Sequence, residues 1–102
     1  MLMIALNYVA LYGRIDDEPR MIDRTEGTPY WRARLVFEGI PGKDVIGMDI
    51  LVFDKLADIA KSYASRGKAV AIEGRIMREL WYDVDGQEHE TYVIHASRLQ
   101  LC

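Results

Sequence analysis

The chain has 102 residues, half of them hydrophobic, which is enough for one core and leaves no room for a second, so residues 1–102 are expected to form a single domain. Its 13 basic and 16 acidic residues give a net charge of −3, which excludes the overall basic bias of many nucleic-acid binders and leaves such activity to local patterning. The one cysteine, Cys102, excludes an intrachain disulfide and suggests a reducing, cytoplasmic setting.

Residues 7–15 read as the first strand, with Val9 and Leu11 alternating with Ala10 and Tyr12 until Gly13 breaks the pattern before an acidic turn, Asp16-Asp17-Glu18-Pro19. The opening Met-Leu-Met-Ile-Ala is apolar but lacks a basic flank and runs into this strand, so it is not read as a signal peptide. No apolar run approaches membrane-spanning length, and no membrane association is expected. A polar segment at 23–29 precedes the second strand, where Trp31, Ala33, Leu35 and Phe37 share one face and Tyr30, Arg32 and Arg34 the other.

Gly39, Pro41 and Gly42 mark a loop, after which Met48, Ile50 and Val52 alternate with Asp49, Leu51 and Phe53 along the third strand. Asp54 is placed to cap a helix whose Leu56, Ile59, Ala60 and Tyr63 form one apolar stripe, with Gly67 closing it as a left-handed cap. The fourth strand is long, from Ala69 to Tyr82, and Gly74 in its middle allows a sharp bend. A Val84-Asp85-Gly86 turn leads into the fifth strand, from about Glu90 to Leu101. Three strands, a helix and two more strands is the order of the OB fold, a five-stranded Greek-key all-β barrel with one helix between strands three and four. Its common ligand is single-stranded nucleic acid.

Tyr30, Arg32 and Arg34 put an aromatic ring and two guanidinium groups on one strand face, a combination that stacks on bases and pairs with phosphates. The competing reading is a solvated face whose arginines pair with nearby Asp or Glu. Trp81 lies near the end of the long strand, on the same face as Arg75 by the period of two, and serves either base stacking or packing of the hairpin tip. Phe53 opposes the core parity of Met48, Ile50 and Val52, which favours exposure over packing on the helix. Asp83-Val84-Asp85-Gly86 is a turn and not a calcium loop, since Trp81 and Tyr92 stand where acidic ligands would be needed. His89 and His95 lack a ligand cluster or nucleophile, so neither a metal site, a cofactor nor a catalytic role is expected.

The run Leu6-Asn7-Tyr8-Val9-Ala10-Leu11-Tyr12-Gly13-Arg14-Ile15 resembles the opening strand of bacterial single-stranded-DNA-binding proteins, with Pro19 where that family usually has proline. Phe53-Asp54-Lys55-Leu56-Ala57-Asp58 resembles its strand-to-helix junction. The longest similarity is Tyr63-Ala64-Ser65-Arg66-Gly67-Lys68-Ala69-Val70-Ala71-Ile72-Glu73-Gly74-Arg75-Ile76, followed by Trp81 and the Asp85-Gly86 turn. The resemblance implies an OB barrel that assembles as a homotetramer, or at least a dimer, and coats single-stranded DNA without strong sequence preference in replication, recombination or repair. It implies stacking at Phe53 and Trp81 and a DNA-side lysine at Lys55; backbone contacts are expected from Arg14, Arg32, Arg34, Lys55 and Arg75.

The chain departs from the family at Gly47 and at Gly39-Ile40-Pro41, where relatives carry tryptophan, and at Asp49, Met77 and Glu79, where many carry basic residues. The relatives' flexible tail, whose acidic tip recruits replication and repair proteins, is not matched before Cys102. Fewer aromatics and an acidic balance imply weaker, more salt-sensitive retention of DNA than in a typical relative. They also support an alternative function, a protein-interaction module of a replication-restart complex. Tyr8 and Tyr12, opposite Val9 and Leu11 on the first strand, leave apolar surface that an oligomer would cover. The source is read as bacterial, phage or plasmid.

Overall fold

The computed structural model describes residues 5–102, so the reading of Met1 to Ile4 as no signal peptide lies outside the described residues. Strands β1 (Val9–Ile15), β2 (Arg20–Ile22), β3 (Tyr30–Glu38) and β4 (Val45–Val52) precede the helix α1 (Asp54–Tyr63), and β5 (Ala69–Tyr82) and β6 (Glu88–Leu101) follow it. The sheet order is β1-β5-β6-β4-β3-β2, and a further β1–β3 pairing brings Arg14 opposite Val36 and closes the barrel.

This is the expected OB barrel with one short strand added. The sequence reading assigns no element to residues 20–22, because three residues are too few to display a period of two. β2 pairs antiparallel with the start of β3, Met21 opposite Trp31, so the helix follows the fourth strand and the third long one. The two long strands also meet expectation: β5 spans the residues predicted for it, and β6 begins at Glu88, two positions early by a reading of about Glu90.

The alternating apolar residues do what their parity requires. Trp31, Ala33 and Leu35 from β3, Ile50 and Val52 from β4, Val70 and Ile72 from β5 and Ile94 and Ala96 from β6 fill the barrel. Helix α1 closes one end through Ala57, Ala60 and the following Ala64, with Leu56 packed alongside. The predicted stripe is therefore half wrong. Ile59 and Tyr63 are exposed, because the small alanines allow the helix backbone to sit against the barrel and the bulky residues are turned outward.

The helix ends also differ from the reading. Phe53, in extended conformation, holds the N-cap position with no side-chain cap, and Asp54 is the first helical residue at φ 57°, a left-handed conformation that aspartate tolerates better than most. At the other end Ala64 donates back to the Ala60 carbonyl, and Gly67 (φ 88°) instead shapes the Ser65 to Lys68 turn that leads into β5.

Gly74 sits opposite a one-residue bulge in β6, where the register skips Ser97. The β5–β6 register shifts between Glu73 and Gly74, and a Cβ at Gly74 would overlap the His95 carbonyl oxygen. Asn7 lies just before β1 and extends the pairing with its side chain, donating to the Ile76 carbonyl at 2.7 Å and accepting from the Ile76 amide at 2.9 Å. Beyond Ile76 the β5–β6 pair continues to Tyr82 opposite Glu88, forming a two-stranded arm.

Candidate nucleic-acid interface

In OB barrels, oligonucleotides bind across the second and third long strands, flanked by the loop after the first strand and the last hairpin. Here that region comprises β3, β4, the segment 16–29 and the β5–β6 arm. The register places Arg32, Leu51, His95 and Arg75 in one row across four strands, with Trp81 opposite His89 further along the arm. Six of the residues singled out in the sequence thus share a surface: Tyr30, Arg32, Arg34, Phe53, Arg75 and Trp81.

At the barrel end of this surface, Phe53 stacks on Tyr30, with ring centroids 5.0 Å apart, and meets His95 edge-on at 4.7 Å. The Arg24 guanidinium carbon lies 5.1 Å from the Phe53 ring centroid, within cation–π range. Phe53 is therefore only partly exposed, packed among rings of the same face and not against the helix alone. Lys55, exposed in the first helical turn two residues after Phe53, lines a hollow of about 640 Å³ with Lys61 and the acids Asp23, Asp54 and Asp58.

At the arm end, Trp81 is 44% exposed and stacks against His89, with centroids 4.3 Å apart and planes at 16°. Asp83 fixes that arrangement. One of its oxygens lies 2.8 Å from the His89 Nε2, and the other accepts the backbone amides of Asp85 and Gln87. The His89 bond and the Gln87 amide hold the Asp83 carboxyl below its usual range.

Between the two aromatic ends lies an ion-pair network. Arg32 donates to Asp49 at 2.8 Å and forms a two-toothed pair with Glu79 at 2.8 and 3.0 Å, crossing from β3 to β5. Leu51 and Val93 share this face by register and are nevertheless buried, lying on the two strands that Arg32 crosses. The Glu79 hydrogen bond raises the Arg32 pKa, and Arg32 correspondingly lowers that of Glu79. Arg34 shares Asp49 at 3.5 Å and donates to the Gly47 carbonyl at 3.3 Å. A Cβ at Gly47 would lie 2.6 Å from the Arg34 guanidinium, so Arg34 fills the space over Gly47.

Arg75 is exposed and in no ion pair among the described residues. Arg14 stands apart from the others: it lies at the β1–β3 seam opposite Val36, and its guanidinium turns to the Gly67 carbonyl, 3.1 Å away. Sequence reading passed over Arg24 and weighed His89 and His95 as metal ligands or catalysts, not as partners of the aromatic rings. The pairing of Trp81 with His89 was available from the turn, since a hairpin centred on Asp85 sets position 81 against 89. Among the described residues no group of three or more His, Cys, Asp or Glu could hold a metal ion, and no helix is long and apolar enough to cross a membrane.

Comparison with known proteins bears on this surface. The profile described as the Single-strand binding protein family matches residues 6–102. The Single-stranded DNA-binding protein of Helicobacter pylori is 38% identical over 64 residues, which cover 63% of this chain and 36% of that protein. Single-stranded DNA-binding protein 2 of Streptococcus agalactiae is 28% identical over 100 residues, covering 93% of this chain and 76% of its own. Among solved structures, the Plasmodium falciparum SSB complex with ssDNA has the same fold, with a TM-score of 0.80 at 20% identity over 99% of this chain and 96% of that one. The match to the Helicobacter protein thus spans little more than a third of that relative's length.

Proposed function

Because the chain belongs to the Single-strand binding protein family, we propose that the face between Phe53 and Trp81 binds single-stranded DNA without reading its sequence. The observation that carries this reading is the pair of aromatic stations, Tyr30 with Phe53 and Trp81 with His89, on one side of an OB barrel at its usual oligonucleotide face. Each base stacked on such a ring contributes about 1 to 3 kcal/mol and is sequence-tolerant, because every base has a π-face. Lys55 and Arg75 supply exposed cations for the backbone, and Arg34 a further one beside Asp49. Binding and release, with no chemical step, is the activity: the protein holds strands exposed in replication, recombination or repair in the cytoplasm.

Titration with a dT oligomer, followed by tryptophan fluorescence at two salt concentrations, tests this. Quenching that weakens steeply with salt supports stacking plus phosphate tracking. Flat fluorescence at low salt would favour the second reading, a protein-interaction module of a replication-restart complex. The engagement of Arg32 by Asp49 and Glu79 is the observation on its side.

We further propose a homo-oligomer, a tetramer in preference to a dimer. Tyr8 and Tyr12 are exposed on the outer side of β1 and its approach, with Tyr8 hydrogen-bonded to Glu73. A monomer mass in light scattering at micromolar concentration would overturn that assignment.

A further inference from the structure

The centre of the face is chemically unlike its two ends. A guanidinium on an OB face is a phosphate receptor, since its fork of N–H donors fits two oxygens of one group. Arg32 already uses that fork: Glu79 occupies it with both carboxylate oxygens and Asp49 takes the Nε side. The Arg32 side chain is 16% exposed and its partners 26% and 31%, so the network sits at the surface, within reach of a strand running from Phe53 to Trp81.

We propose that Asp49 and Glu79 act as a built-in competitor for the DNA backbone, occupying Arg32 as a phosphate would and keeping the middle of the face closed. The inference rests on the single-strand reading of this face. A bound strand is then gripped at two separate aromatic stations, and a phosphate reaches Arg32 only by displacing a carboxylate. Two negative charges beside the path also repel the backbone while they remain there. Both acids reach solvent, so a carboxylate displaced from Arg32 can be hydrated where it stands.

The test compares the wild type with Asp49→Asn/Glu79→Gln in dT-oligomer titrations between 50 and 200 mM salt. The double variant is expected to bind roughly three- to tenfold tighter at the lower salt, with a log–log salt slope steeper by about 0.7, the increment for one more phosphate on a single strand. Adding Arg32→Ala to the double variant is expected to abolish the gain. An unchanged or weakened affinity in the double variant overturns the inference, as does a gain that survives loss of Arg32, which would belong to net charge alone.

If the double variant does not fold, the Arg32 Nε–H resonance of the wild type decides the question. An unmoved resonance at full tryptophan quenching supports a closed middle, and a shift on saturation with dT, which means that a phosphate takes Arg32 from its carboxylates, overturns it. The two readings fail separately. A wild type that binds normally while its variants gain nothing overturns only this inference. A wild type that does not bind while the double variant does supports the inference and overturns the wild type as a standing single-strand binder. Failure of both to bind overturns both.

Discussion

The His89 imidazole lies nearly parallel to the Trp81 indole, 4.3 Å from it, and so covers one of its two faces. In the proposed function a base stacks on the face that remains. The other tryptophan, Trp31, is 1% exposed in the barrel core, so the fluorescence change on binding should come from Trp81 alone. Trp81→Ala is expected to remove the quench by dT and to weaken binding by about 1 to 3 kcal/mol, roughly 5- to 150-fold. His89→Ala should keep the quench. A quench that persists without Trp81 would move the stacking site elsewhere.

Lys55 and Arg75 differ from Arg32 in having no carboxylate partner among the described residues. Alanine at either position should flatten the log–log salt slope of single-strand binding by about 0.7, one phosphate contact each. Arg14→Ala should leave the slope unchanged, because that guanidinium turns towards Gly67 at the barrel seam.

Gly74→Ala should destabilise the fold by about 1 to 3 kcal/mol or more in urea unfolding, since the added methyl meets the His95 backbone and no side chain can move aside. Gly86→Ala, at φ 80° in the open hairpin turn, meets no neighbour and carries only the conformational cost.

Glu79 and Asp83 both have folded-state pKa values below their ordinary ones, the first through Arg32 and the second through His89. A depressed carboxylate contributes stability that is present above its unfolded pKa, near 4 for these residue types, and lost as pH falls through the folded value. Thermal stability should therefore decline from about pH 5 downward. Glu79→Gln should make that decline shallower, as seen by melting curves between pH 3 and 7; an unchanged acid limb would detach Glu79 from it.

The strands were legible because a half-buried sheet alternates, and Trp31, Ala33 and Leu35 announce their face by spacing alone. The helix was legible in place but not in orientation. Apolarity ranked Ile59 and Tyr63 above Ala57, whereas contact with the barrel selected for smallness. The role of Arg32 was legible only as a pair of alternatives, phosphate receptor or paired arginine. Its partners lie 17 and 47 residues away, a distance over which no local pattern reports. Asp54 did not follow the capping rule: at φ 57° it is the first helical residue, and Phe53 before it holds the cap position.

From Arg75 opposite His95, whose ring Phe53 meets, to Trp81 opposite His89, β5 and β6 pair without a register break, so the distance between the two stations is counted out in residues of one ladder. Such a ladder works as a ruler with a parity constraint. Lengthening both strands of the arm by one residue would turn Trp81 to the opposite side, whereas lengthening both by two would restore its side and carry it about 7 Å further out. An arm of different length on this barrel would therefore change the stacking interval only in steps of two residues per strand, about 7 Å each.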